Sequence, residues 1–77
     1  MKVNVKLYGR LRDRLPREQK GKAELSLGTS STVADALAEL GIKDAVLVAV
    51  NEMHESAESH PLKDGDKMAV FELTAGG

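Results

Sequence analysis

The chain opens on a strict alternation. Met1, Val3, Val5 and Leu7 alternate with Lys2, Asn4, Lys6 and Tyr8. A period of two sends the first set to one face of an extended strand and the second to the other, so this stretch predicts a half-buried strand ended by Gly9. Arg10 to Leu15 predicts a short helical turn, stopped at Pro16 because its ring cannot continue a helix. Arg17-Glu18-Gln19-Lys20-Gly21-Lys22 is polar and predicts a loop. Ala23, Leu25 and Leu27 then alternate with Glu24 and Ser26, a second strand expected to pair antiparallel with the first.

The period changes after Gly28-Thr29-Ser30-Ser31. Val33, Leu37 and Leu40 recur at helical spacing, with Ala34 and Ala38 beside them. Thr32 is a good N-cap, and Asp35 three residues on completes the outline of a capping box with Asp in place of Glu. Gly41 stands where a left-handed residue ends a helix, with Ile42 placed to close over the last turn. A helix of about two turns is unstable alone in water, so it is expected to lie across a sheet.

Ala45-Val46-Leu47-Val48-Ala49-Val50 is short, continuous and Val-rich, which favours a central strand over a helix. Glu52 to His60 is acidic and weakly patterned, with room for one short edge strand near Met53. Pro61-Leu62-Lys63-Asp64-Gly65-Asp66 is turn chemistry, and Lys67 to Leu73 predicts the final strand. The order strand–strand–helix–strand–strand predicts an α+β domain over residues 1–73, followed by a flexible tail over 74–77. A ubiquitin-like β-grasp fits this order: a mixed four- to five-stranded sheet with one main helix on one face, the first and last strands running parallel in its middle. The pattern alone also permits a ferredoxin-like fragment.

Composition narrows the chemistry. With 77 residues the chain supports one domain, and Leu, Ile, Val and Phe make up 19 of them, enough for a core but not for a deep catalytic cavity as well. There is no cysteine, hence no disulfide, thiolate metal site or cysteine nucleophile. No stretch approaches the ~18 apolar residues of a membrane span, and the alternating N-terminus does not look like a signal peptide, so a cytoplasmic location is expected. Residues 1–39 carry eight Lys/Arg against five Asp/Glu, and residues 40–77 carry three against seven. Such a dipolar layout suits docking onto another protein. Nucleic acid is not the expected partner, because only Tyr8 and Phe71 are available to stack on bases and the run Arg10, Arg12, Arg14, Arg17 lacks interleaved aromatics.

No catalytic constellation stands out. His54 and His60 are six residues apart, not the four of a zinc-binding helix, and read as part of a solvated acidic edge. Asp64-Gly65-Asp66 lacks the alternating oxygen ligands of a calcium loop and reads as a tight turn. No metal site, bound cofactor or phosphate-binding glycine loop is expected, so any ATP must be held by another protein.

The candidate site is the C-terminus. Glycine is common in frayed termini. A terminal Gly76-Gly77 pair is also able to thread a narrow channel in any backbone conformation. Thr74, Ala75, Gly76 and Gly77 reach at most about 14 Å when extended. The terminal carboxylate, with a pKa of about 3.5, is ionised at neutral pH and able to attack the α-phosphate of ATP. The resulting acyl-adenylate is open to displacement by sulfur or an amine. By parity, if Met68 and Val70 face the helix, then Ala69, Phe71 and Leu73 face outward as a docking patch beside the tail; the alternative is that Phe71 is core.

Several local patterns, in order and over essentially the whole chain, resemble the MoaD/ThiS family of ubiquitin-like sulfur carriers. Leu7-Tyr8-Gly9-Arg10-Leu11-Arg12 resembles the segment after the first strand of molybdopterin synthase small subunits. Thr32-Val33-Ala34-Asp35-Ala36-Leu37 resembles the family's helix start, and Val48-Ala49-Val50-Asn51-Glu52 its third strand and turn. Leu62-Lys63-Asp64-Gly65-Asp66 leads into Phe71 and Gly76-Gly77 at the family's distances. The resemblance implies that an E1-like adenylating enzyme uses ATP to activate Gly77 and that a sulfurtransferase converts it to a thiocarboxylate. In the molybdopterin branch the tail then enters the large subunit of a heterotetrameric synthase and donates sulfur to the pterin precursor of the molybdenum cofactor. The small subunit itself is not catalytic. Family members often carry two prolines between the aromatic and the glycines, where this chain has Glu72-Leu73-Thr74-Ala75. That departure keeps thiamine, tRNA thiolation, cysteine synthesis and protein modification open as alternative destinations.

Overall fold

The computed structural model describes residues 1–43, 45–52 and 56–73. Strand β1 (Lys2–Leu7) leads through a 3-10 helix (Gly9–Arg14) and a 3-10 turn (Arg17–Gln19) into β2 (Lys22–Ser26). Helix α1 (Val33–Glu39), β3 (Val46–Val50) and β4 (Lys67–Glu72) follow. The four strands form one sheet in the order β2-β1-β4-β3. β1 runs antiparallel to β2, with Val5 opposite Ala23. It runs parallel to β4, with Val5 opposite Met68. β3 closes the sheet antiparallel to β4, with Val48 opposite Val70. The first and last strands therefore occupy the middle side by side, as the β-grasp requires and a ferredoxin-like fragment does not. The edge strand expected near Met53 lies outside the described residues, as do Asp44, His54 and Glu55.

The inner face of the sheet supplies the core. Val3, Val5 and Leu7 of β1, Leu25 of β2, Val48 and Val50 of β3 and Met68 and Val70 of β4 are buried. They meet Val33, Ala36 and Leu37 of α1, while Leu11, Ile42 and Leu62 of the connections seal the margins. One expectation needs correcting here. Ala34 and Ala38 are exposed, Ala36 is fully buried, and Leu40 is only partly so. At 3.6 residues per turn, 33, 36, 37 and 40 share a face, while 34 and 38 lie on the flank.

Both ends of α1 are built as its sequence implies. Thr32 Oγ1 accepts from the Asp35 N–H, and Asp35 Oδ2 accepts from the Thr32 N–H at 2.8 Å, closing a capping box. At the other end Gly41 adopts φ +73. Its N–H donates to the Ala38 carbonyl at 3.0 Å and that of Ile42 to the Leu37 carbonyl at 2.9 Å, which completes a Schellman motif with Ile42 folded into the core. A seven-residue helix with both ends satisfied needs only the sheet beneath it.

The turn before β4 is held by its own acids. Asp66 Oδ2 accepts from the Lys63 N–H at 2.8 Å and Oδ1 from the Asn51 amide at 2.9 Å. Asp64 Oδ1 accepts from the Lys2 N–H at 2.7 Å, tying this turn to the start of β1. These carboxylates serve two backbone N–H groups and the Asn51 side-chain amide, so the segment is a structural turn rather than a cation loop. The polar segment read as loop contains the 3-10 turn Arg17–Gln19, with Lys20 in the left-handed region. β4 ends at Glu72, one residue earlier than expected, although the Leu73 N–H still donates to the Ala45 carbonyl at 3.3 Å.

Candidate functional site: the outer sheet face and the root of the tail

Strand parity decides what faces outward. On β4, Met68 and Val70 point under α1, so Ala69 and Phe71 point to the opposite face. Phe71 is 37% exposed and Leu73 is 54% exposed, and these are the large exposed hydrophobic residues among those described. Phe71 is therefore not a core residue. Its ring stacks on Tyr8 with centroids 4.5 Å apart and planes 16° from parallel. Lys6 Nζ lies 5.0 Å from the centre of the Tyr8 ring, within cation–π range. Sequence reading placed Tyr8 in a motif without a contact; the parallel pairing of Leu7 with Val70 is what carries the next residues, Tyr8 and Phe71, together.

Around this stack the face is graded. Leu47 is opposite Phe71 and Ala49 is opposite Ala69, giving an apolar side built from β3 and β4. On the other side Lys6 stands directly opposite Lys22, and Lys67 is opposite Asn4. Lys2 pairs with Glu24 at 3.4 Å between exposed side chains, worth well under about 1 kcal/mol. A shallow concavity of about 770 Å³ spans both sides, lined by Tyr8, Phe71, Ala49, Ala69, Lys6, Lys22 and Lys67 among others. An aromatic and aliphatic patch with a lysine border suits contact with another protein surface.

The root of the tail is fixed at the end of the same strand. Glu72 shares its parity with Met68 and Val70 and is half-buried, and its carboxylate accepts the backbone N–H of Arg10 at the start of the 3-10 helix. Gly9, at φ +62, makes room: a Cβ there would stand 2.6 Å from Glu72 Oε1. The motifs marked Glu72 only as part of the stretch that stands where family members often carry two prolines, and gave it no partner. The signal was present in the alternation, which puts an acid on the inner side of the strand, where it needs a donor.

The other candidates fall elsewhere. Arg14 donates to the Gly41 carbonyl at 2.9 Å, so this member of the basic run ties the 3-10 helix to the end of α1. His60 brackets the start of α1, its carbonyl accepting from the Val33 N–H at 3.0 Å. Among the described residues there is no group of three or more His, Cys, Asp or Glu able to hold a metal ion. No helix of the described residues is long and apolar enough to cross a membrane. Thr74, Ala75, Gly76 and Gly77 lie outside the described residues, so the structure gives the tail's point of departure at Leu73.

A family model with the description ThiS family matches residues 5–77. The chain belongs to the ThiS family. This places it among ubiquitin-like sulfur carriers, whose members are carriers rather than catalysts. Solved structures share its fold. A molybdopterin converting factor subunit 1 from Pyrococcus furiosus is 24% identical, covering 96% of this chain and 99% of that chain, with a TM-score of 0.79. SAMP1 from Haloferax volcanii is 22% identical over 100% of both chains, with a TM-score of 0.77. A complex of subunits 1 and 2 of molybdopterin-converting factor from Helicobacter pylori contains a chain 21% identical over 100% of both, with a TM-score of 0.64. At these identities the structures speak for the fold. A comparison with curated proteins finds no match.

Proposed function

We propose that this ThiS-family chain is the sulfur-carrying small subunit of a molybdopterin synthase. The observation that carries the proposal is the Tyr8–Phe71 stack on the outer face, with Phe71 exposed and five residues before the Gly76-Gly77 pair, on a fold shared with subunit 1 of the molybdopterin-converting factors. The stack supplies grip, and the four residues beyond Leu73 supply about 14 Å of reach into a partner's active site. In the first step an oxygen of the Gly77 carboxylate attacks the α-phosphate of ATP, bound by an E1-like partner, and pyrophosphate leaves. A persulfide of the sulfurtransferase then displaces AMP to give an acyl disulfide. Attack by a second thiol on its outer sulfur releases the thiocarboxylate and leaves a disulfide on the sulfurtransferase; free hydrosulfide would give the thiocarboxylate directly. In the large subunit of the synthase, within a heterotetramer, the thiocarboxylate sulfur attacks the pterin precursor, and hydrolysis of the acyl group returns the carboxylate. This chain contributes docking surface and a carried group, with no acid, base or bound cofactor of its own, and works in the cytoplasm.

The full-length likeness to SAMP1, a small archaeal modifier protein, favours a second reading in which an amine of another protein displaces AMP and an isopeptide bond forms at Gly77. Intact mass spectrometry of the protein from its own cell, or after incubation with ATP, the activating partner and a sulfur donor, separates the two. Replacement of one terminal oxygen by sulfur is the expected result for the carrier. An unmodified carboxylate in every condition would count against both readings, and a ladder of higher-mass conjugates in a lysate blot would favour the modifier.

A further inference from the structure

We propose that Glu72 is a positioning residue for the tail, its carboxylate latched on the Arg10 N–H so that the root of the tail at Leu73 is held while the terminal carboxylate is activated. The inference rests on the reading of Gly77 as the activated group. Three observations carry it. First, parity turns Glu72 inward at the end of β4, where the 3-10 helix packs against the strand. The N–H groups at a helix start lack intrahelical acceptors, and a carboxylate satisfies one of them with a charge-assisted bond. Second, Gly9 holds a left-handed backbone at φ +62 that favours glycine, and a Cβ there would stand 2.6 Å from Glu72 Oε1, so a side chain at this position would push the carboxylate off the Arg10 N–H. Third, the backbone of the next residue is held from the other side, the Leu73 N–H donating to Ala45 of the segment before β3.

The last residues before the tail are thus bonded to two different elements. With four residues beyond them, a swing of about 30° at the root moves an extended tail's end by about 7 Å. Attack on a phosphate needs the reacting atoms within about 3.5 Å. A loosened root lowers the fraction of productive approaches rather than abolishing them. The Phe71 patch still docks, so the expected loss is in kcat for adenylation more than in KM for the carrier.

The test uses the full chain and three variants: Glu72→Ala, Glu72→Gln, which keeps an acceptor oxygen, and Gly9→Ala, which displaces the carboxylate while leaving Glu72 in place. In the isolated protein, amide hydrogen exchange at Arg10 should speed up at least about tenfold in Glu72→Ala and Gly9→Ala and stay near wild type in Glu72→Gln, as expected for loss of a protecting bond. In ATP–pyrophosphate exchange with the adenylating enzyme of the same organism, kcat should fall about tenfold in the first two, with KM little changed, and recover in Glu72→Gln. Unchanged Arg10 exchange in Glu72→Ala overturns the latch. Faster Arg10 exchange with wild-type kcat overturns its role in activation. Absence of exchange activity in the wild type itself sinks the carrier reading and the role in activation together, while the Arg10 amide still decides whether the latch exists.

Discussion

On its inner face the sheet presents Val3, Val5 and Leu7 from β1 and Met68 and Val70 from β4, none more than 2% exposed. On its outer face the same two strands present Lys2, Asn4 and Lys6, and Ala69 and Phe71. One residue of register separates a core position from a docking position, because successive Cβ atoms on a strand point to opposite sides. The two faces obey different rules. Inside, each side chain is chosen for volume, since a small domain keeps its stability only by filling all the interior it has. Outside, the choice is chemical: a stacked aromatic pair, small Ala49 and Ala69 that leave it standing clear, and a lysine border. In a chain of 77 residues the inner face is taken up by the core, and the outer face is the side of the sheet left for recognition.

Substitutions on the two faces should therefore separate stability from recognition. Leu7→Ala, at a fully buried position of the central strand, is expected to destabilise the fold by about 2–5 kcal/mol in urea unfolding. That is a large share of the roughly 4–12 kcal/mol available to a domain this size. A loss below about 1 kcal/mol would mean that the inner face is not packed as described. Phe71→Ala, one strand over and facing out, should lower folding stability by only about 1 kcal/mol, the scale of an aromatic pair. Titration calorimetry with the large subunit or the adenylating enzyme should show affinity weakened by about 30-fold or more, as for an interface anchor. A variant that binds normally but melts early would reverse the two roles. Smallest is the effect of Lys22→Glu, which puts a carboxylate opposite Lys6 and removes a like-charge pair. Stability should rise by about 0.2–1 kcal/mol. The gain should shrink as salt is added, because the pair is exposed. A gain that does not respond to salt would not be electrostatic.

Much of this architecture was legible in the chain. The alternation in β1 and the capping box and Schellman ending of α1 are local, carried by residues close together in sequence, and the structure matches them. Parity along β4 puts Phe71 on the side opposite Met68 and Val70, but which side is core is decided by where α1 packs. What the pattern missed was long-range. The stacking of Tyr8 on Phe71 joins residues from the two ends of the chain and depends on the parallel register of β1 with β4. The spacing picked out Ala34 and Ala38 but not Ala36, the alanine that α1 buries, because small apolar residues report periodicity weakly.

The sequence by itself determined the four strands and the helix, their order and the resemblance to the family, because periodicity, caps and turns act over a few residues and a terminal Gly-Gly is written in the chain. The tertiary structure alone decided the role of Glu72. Read locally, Glu72 replaces a stiff proline with a residue that extends a strand. In the fold it meets an N–H sixty-two residues away in sequence, over a glycine whose missing Cβ leaves the space. A contact of that kind depends on where two distant segments are carried by the sheet between them, and no short window of sequence contains both.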